Sequence, residues 1–371
     1  MADTTGLQLL SKLDADGRLT VSLAEQVLPA PTRHEVLLRV DAAPINPSDL
    51  GLLFGPADID NAEFADGTIV ARMPDPAVRA MAARHGEAMP VGNEGAGTVI
   101  AAGDAPEAQA LLGKLVACVP GGMYAQYRIV DARACMELPE GITAEQGAAA
   151  YVNPLTALGF VETMRREGHT ALVHTAAASN LGQMLVKICK EDNVGLVNVV
   201  RNPAQVAILR GIGAEHVVDT SSDSFLADLA VALEATGATM AFDAIGGGKL
   251  VSQILTAMEQ VANEGAAYSR YGSNSAKKAF IYGALDLSPT VLTRNFGFTW
   301  DVAGWLLTPF MVKIGEHGVE RLRQRVRDGL TTTFASHYKA RVSLEQVLTR
   351  EAAVDYNARR TGEKYLIVPN G

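Results

Sequence analysis

The chain has 371 residues, 48% hydrophobic and 20% charged, an ordinary globular balance in a chain longer than one core usually serves, so two domains are predicted. Its 32 lysines and arginines against 41 aspartates and glutamates give a formal net charge of −9, which argues against nucleic acid or an anionic membrane as partner, since both need a basic patch. No signal-peptide pattern opens the sequence, no charge-free apolar run is long enough to span a bilayer, and Cys118, Cys135 and Cys189 are odd in number and distant in sequence; a reduced, cytoplasmic protein with no local cysteine metal knuckle is expected.

Up to about residue 137 the chain reads as short strands broken by Gly, Pro and Asp. EVLLRV (35–40), GAGTVIA (95–101), KLVACV (114–119) and QYRIV (126–130) predict a small antiparallel barrel. The stretch from Gly55 to Met89 is too long for a plain connection and reads as a lid or side-wall insertion, with VRAMAARHGEAM helical. From about Thr143 strands and helices alternate: ALVHT (171–175), GLVNVV (195–200), HVVD (216–219), MAFDAIGG (240–247) and AFIYGAL (279–285) are the strands. That alternation predicts a parallel sheet with right-handed crossovers. A helical stretch from Asp301 to Arg327 follows. The tail ending EKYLIVP has no crossover helix and is expected to return to the first domain.

A dinucleotide needs a helix N-terminus reached through a turn of small side chains. His174-Thr-Ala-Ala-Ala-Ser-Asn-Leu-Gly182 offers one, although Ser179 and Asn180 stand where glycines are usual and only Gly182 remains. Tight packing alone would explain such a turn equally well. About 20 residues further on, where an acidic side chain would hold the ribose 2′-hydroxyl of NAD, stand Arg201 and Asn202. A guanidinium binds a 2′-phosphate that a carboxylate would repel, so NADPH is expected over NADH, the alternative being a solvated arginine at a strand end.

Several segments, in order and over nearly the whole chain, resemble the medium-chain dehydrogenase/reductase superfamily in its zinc-free quinone oxidoreductase and enoyl-thioester reductase branches. They are EVLLRVDAAPINPSDL (35–50), VGNEGAGTVIAAGD (91–104), GGMYAQYRIV (121–130), ELPEGITAEQGAAAYVNPLTAL (137–158), GIGAEHVVD (211–219) and EKYLIVP. The resemblance implies an α/β chain made of a GroES-like β-barrel domain (1–137, completed by 308–371) and a Rossmann doubly wound parallel-sheet domain binding NADPH (138–307). Where zinc members carry a Cys and a His ligand, this sequence has Pro47-Ser48 and Asn93, so no metal is expected.

The resemblance also implies site residues. Asn46 is the candidate for a polar contact to nicotinamide or substrate, or else begins an Asx turn before Pro47. Asp49 ties down that loop; Tyr124 is a candidate proton donor, or a core tyrosine. Cofactor contacts fall on Thr156, on Ser179, Asn180, Leu181 and Gly182, on Arg201, Asn202 and Thr220, and on Gly246, Tyr282 and Gly283. Gly247 lies beside Gly246 at a predicted strand end, where a plain turn accounts for both. Asn153, ahead of Pro154, is expected to cap the helix carrying Thr156. Lys364 could approach a cofactor phosphate. The activity implied is NADPH-dependent hydride transfer to a quinone or an α,β-unsaturated carbonyl, a small-molecule substrate, by a homodimer joined near AFIYG. Alternatives are an enoyl-thioester reductase, against which the tyrosine-free loop LGLLFGPAD counts, and a non-catalytic NADPH-binding protein.

Overall fold

The computed structural model describes residues 3–371. The chain divides into two compact units, Met1–Val152 with Arg325–Gly371, and Asn153–Gln324. The first boundary falls later than residue 137 because the segment after Leu138 belongs to the barrel. Gly147 packs against Leu138 so closely that a Cβ there would lie 2.1 Å from a Leu138 methyl, and the amides of Tyr151 and Val152 bond to Glu94.

The first unit opens with a hairpin, β1 (Thr4–Leu13) and β2 (Arg18–Leu28), paired along its whole length. Strand β3 (Glu35–Pro44) leads into helix α1 (Pro47–Leu53). The stretch read as a lid or side-wall insertion adds short strands to the first sheet, with helical turns between them. Strands β4 (Glu63–Ala65) and β5 (Thr68–Arg72) extend β2, helix α2 (Asp75–Ala80) follows, and β6 (Ala88–Pro90) extends β1, in the order β4-β5-β2-β1-β6. Ile69 and Ala71 face inward at the two-residue period of a strand. The helical pattern holds through α2 and a 3-10 turn at Ala82–Arg84 and ends where Ala88–Pro90 pairs with β1.

Then come β7 (Gly95–Ala102), α3 (Pro106–Gln109), β8 (Leu115–Cys118), β9 (Tyr127–Asp131), β10 (Met136–Glu137) and α4 (Ala144–Gly147). Strand β3 pairs antiparallel with β7 and β9.

The second unit runs through α5 (Val152–Arg166), β11 (Ala171–Thr175), α6 (Asn180–Glu191), β12 (Gly195–Val200), α7 (Pro203–Gly211), β13 (His216–Asp219) and α8 (Phe225–Thr236). It continues with β14 (Met240–Asp243), β15 (Gly246–Gly248), α9 (Leu250–Asn263), β16 (Lys277–Ile281), β17 (Asp286–Thr290), β18 (Trp300–Gly304) and α10 (Leu307–Asp328). Its parallel sheet has the order β13-β12-β11-β14-β16-β18. That is the 3-2-1-4-5-6 winding of a dinucleotide-binding fold, with the reversal of direction between β11 and β14.

Two expectations change here. Residues 300–304 form the outermost strand, not the start of a helix: their register with β16 is continuous and the Trp305 amide bonds to the Ile281 carbonyl, so sheet pairing outweighs the local helical spacing. Consequently AFIYG, in β16, is flanked on both sides and offers no free sheet edge.

The tail supplies β19 (Ala340–Val342), α11 (Arg350–Asn357) and β20 (Tyr365–Ile367) to the first unit, with β20 antiparallel to β3. Among the described residues no helix is long and apolar enough to cross a membrane.

Candidate functional site

In the first unit a buried polar cluster forms where β3 ends and β7 begins. Proline at the first position of α1 and a carboxylate at the third favour a helix start at Asn46. Asp49 closes it by accepting from the Asn46 amide at 2.7 Å, and its other oxygen accepts from the Asn93 amide at 2.7 Å. Asn46 is 2% exposed, and its Nδ2 donates to Glu94 Oε1 at 2.7 Å. Glu94 Oε2 accepts from the amides of Tyr151 (3.0 Å) and Val152 (2.8 Å). Asn46 thus starts helix α1, the local role expected of it before Pro47, with its side-chain amide fixed by Glu94.

Electrostatics follow from burial. Asp49 is pushed up to about 7 by desolvation, against the pull of the two amides. Burial likewise raises Glu94, opposed first by the charge of Lys364. Desolvation lowers Lys364, opposed by Glu94 and Asp49. The Lys364 Nζ is buried with no hydrogen-bond partner, 5.7 Å above the Tyr338 ring. A buried ammonium that lacks an acceptor is costly. Tyr124 takes the core role: it is fully buried, its hydroxyl donates to the Pro44 carbonyl at 3.1 Å, and burial raises its pKa.

In the second unit the turn from β11 to α6 is built on close backbone approach. Ser179 caps α6, its Oγ accepting from the Gly182 amide at 3.1 Å. A Cβ on Gly182 would lie 2.1 Å from the Ala177 carbonyl oxygen, so glycine is required where the turn folds onto the helix. Asn180 begins the helix and Leu181 is buried behind it. Ala176 holds a left-handed φ of 50°, a conformation usually left to glycine. Beside this turn, Thr175 Oγ1 donates to Asp243 Oδ1 at 2.6 Å and the Gly246 amide to Asp243 Oδ2 at 2.7 Å. These bonds clamp the ends of β11 and β14 at the winding reversal, where ligands bind in open α/β sheets.

Arg201 is exposed at the end of β12, and among the described residues no ion pair holds its guanidinium; its amide bonds to Gln205 Oε1 at 3.1 Å. Asn202 caps α7 by accepting from the Gln205 amide at 3.0 Å. Thr220 is exposed one strand away, its amide on the Val200 carbonyl. Tyr282 follows β16, its hydroxyl 2.7 Å from His174 Nε2, and a Cβ on Gly283 would lie 2.5 Å from the Ala244 oxygen.

The strand ends thus gather three groups: the turn residues 179–182, then Arg201 with Asn202 and Thr220, then Gly246 with Tyr282 and Gly283. Thr156 is buried within α5. Asn153 lies inside the first turn of α5, which starts at Val152, and not at its cap. Gly246 and Gly247 lie past β14, in β15 paired with β17. No group of three His, Cys, Asp or Glu able to hold a metal occurs among the described residues.

Glu94, Asp243 and His174 escaped the sequence reading as site residues. A carboxylate in a glycine-bounded segment (Gly92-Asn93-Glu94-Gly95) and one closing an apolar strand (Met240–Asp243) were the available signals, because a buried acid needs partners.

Residues 32–140 match the alcohol dehydrogenase GroES-like domain. Over 201 residues the chain is 29% identical to a protein of Schizosaccharomyces pombe assigned as a quinone oxidoreductase, covering 53% of this chain and 56% of that one. It is 28% identical over 197 residues to the mitochondrial enoyl-[acyl-carrier-protein] reductase of Xenopus tropicalis, covering 51% and 49%. The chain thus spans about half the length of these two curated relatives. A crystal structure from Mesorhizobium loti, assigned as an NADPH:quinone reductase, superposes with a TM-score of 0.76 at 26% identity and covers 100% of both chains. The chain thus carries a GroES-like domain and is similar to the quinone oxidoreductases and enoyl reductases that form the zinc-free branch of the medium-chain dehydrogenase/reductase superfamily.

Proposed function

We propose that the protein is an NADPH-dependent oxidoreductase that reduces a quinone or an α,β-unsaturated carbonyl compound without zinc. The observation that carries this is Arg201, an exposed and unpaired guanidinium at the end of β12, where NAD-specific folds of this winding place a carboxylate. The chain's own residues fit the cofactor. Gly182 lets the turn backbone approach the start of α6, whose N-terminus suits a pyrophosphate, and Arg201 suits the 2′-phosphate. When bound, NADPH supplies the hydride. In the first unit, Glu94 fixes the Asn46 amide and Lys364 holds a buried positive charge that can polarise a carbonyl oxygen.

The test is Arg201→Ala with both cofactors. We expect NADPH binding to weaken about 10- to 100-fold, the loss of a charge-assisted contact, with NADH little changed. Equal losses would remove the 2′-phosphate role. A panel of 1,4-quinones, enals and enoyl thioesters then separates substrates. Turnover of thioesters alone would make the protein an enoyl-thioester reductase, and binding without any turnover a non-catalytic one. Metal analysis of the active protein should find well under one zinc per chain.

A homodimer belongs to the same proposal. Strand β18, the outer strand of the parallel sheet, is supported as its edge, with Phe298 77% and Leu306 64% exposed on either side of it. Light scattering that returns the monomer mass at micromolar concentration would remove the dimer.

A further inference from the structure

Two cysteines that are distant in sequence are neighbours in the barrel. Strands β8 and β10 pair antiparallel, with Met136 opposite Ala117 and Glu137 opposite Val116. Continued by one residue, that register sets Cys135 opposite Cys118. The Leu138 amide bonds to the Leu115 carbonyl at 3.0 Å, so 138 and 115 are a hydrogen-bonded pair. Such pairs alternate with non-hydrogen-bonded ones along an antiparallel ladder. Two steps and then one more along it, Cys135 and Cys118 are therefore a non-hydrogen-bonded pair, the kind whose side chains approach most closely. Its Cα separation of about 4.5 Å falls inside the roughly 4.4–6.8 Å that a disulfide spans.

The surroundings add to this geometry. Cys118 is wholly buried and Cys135 is 9% exposed, so a small oxidant meets Cys135 first. The Cys118 thiol is held protonated by its hydrogen bond to Cys135 and by burial, while the positive charge of Arg128 pulls the other way and the negative charge of Glu94 reinforces the rise. Arg128 is anchored there by its Nε on the Gly121 carbonyl at 3.0 Å. Cys135, the more accessible of the two, donates its thiol hydrogen to the Asp131 carbonyl at 3.6 Å, a weak contact that an attacking sulfur can give up.

We propose that Cys118 and Cys135 form an oxidisable dithiol that closes into a cross-strand disulfide. With a hydroperoxide as oxidant, the Cys135 thiolate attacks the outer peroxide oxygen. The O–O bond breaks, and Cys135 becomes a sulfenic acid as water or an alcohol leaves. The Cys118 sulfur then displaces the sulfenic hydroxyl, which departs as water with the Cys118 proton. Two thiols lose two electrons and two protons, and the peroxide is reduced by the same two electrons. The closed bond ties β8 to β10 across a loop that carries Tyr124 and Arg128.

The test uses the folded full-length protein exposed to hydrogen peroxide, alkylated, and digested with trypsin without reductant. Arg128 and Arg133 lie between the two cysteines, so trypsin leaves them on separate peptides unless a bond joins them. We expect one linked pair lighter by two hydrogen atoms, containing Cys118 and Cys135, with Cys189 alkylated, and its disappearance on adding dithiothreitol. Cys118→Ser should instead stop at a Cys135 sulfenic acid that dimedone traps. Recovery of both cysteines alkylated, or of Cys135 as sulfinic acid with no linked peptide, overturns the proposal. So does the same mixture of pairings from folded and urea-unfolded protein, a comparison that needs no variant to fold.

Discussion

The Nε2 of His174 and the hydroxyl of Tyr282 lie 2.7 Å apart, joining the first strand of the parallel sheet to the residue that follows its fifth. Both rings meet Phe160, which itself stacks on Phe242 and meets Trp305 edge-on. Burial pulls His174 down to about 3 and raises Tyr282, so at neutral pH this is a neutral imidazole beside a neutral phenol. The His174 Nδ1 has no partner. The contact to Tyr282 is therefore the hydrogen bond the ring depends on.

Removing the hydroxyl exposes that dependence. Tyr282→Phe keeps the ring packing and strands Nε2 in an apolar site, so the variant should lose about 1–3 kcal/mol of unfolding free energy. Chemical denaturation measures it. An unchanged midpoint would mean that the imidazole is satisfied in some other way.

Asp49 gives a pH signature. Its folded pKa of about 7 lies above the ordinary 3.8, so between those values the folded chain holds a proton that the unfolded chain releases. Asp49's contribution is fully present below about pH 4 and is lost as the pH rises through 7, by about 1.4 kcal/mol per unit at most. Wild-type stability relative to Asp49→Asn should therefore fall across that window. A difference that stays constant from pH 4 to 7 would show that Asp49 is already ionised in the fold.

Glu94 and Lys364 should be energetically coupled. Lys364→Met leaves Glu94 buried without its cation, whereas in a Glu94→Gln background there is no charge left to desert. A double-mutant cycle on stability should give a coupling of about 0.5–3 kcal/mol, favouring the pair. Strict additivity would mean that the two charges do not support each other across the barrel.

How much of this was legible depends on where each group's partners lie. Strands β11, β12 and β14 were readable because strands covered on both faces are unbroken apolar runs. Strand β18 was not, since Asp-Val-Ala-Gly carries no two-residue alternation and only pairing with β16 makes it a strand. The turn residues 179–182 were readable from local chemistry, because Ser179 and Gly182 act on each other three residues apart. Glu94 was hidden because it is held by Asn46, Tyr151 and Lys364, drawn from three separate segments. The Cys118 and Cys135 pair was hidden for the same reason, since only the β8–β10 register brings it together.

Gly182 offers the sharpest test of where the pyrophosphate sits. The atom a Cβ would strike, 2.1 Å away, is the Ala177 carbonyl oxygen, which cannot swing aside as a side chain can. Gly182→Ala must therefore displace the turn from the start of α6, even though alanine is the better helix former by about 1 kcal/mol. Because the pyrophosphate is common to both nucleotides, NADPH and NADH should lose affinity together, by about tenfold or more, in contrast to the selective loss at Arg201→Ala. Calorimetric titration of both cofactors measures this, with circular dichroism to verify that the sheet is retained. A folded Gly182→Ala protein that binds NADPH as tightly as wild type would place the pyrophosphate somewhere other than the β11–α6 turn.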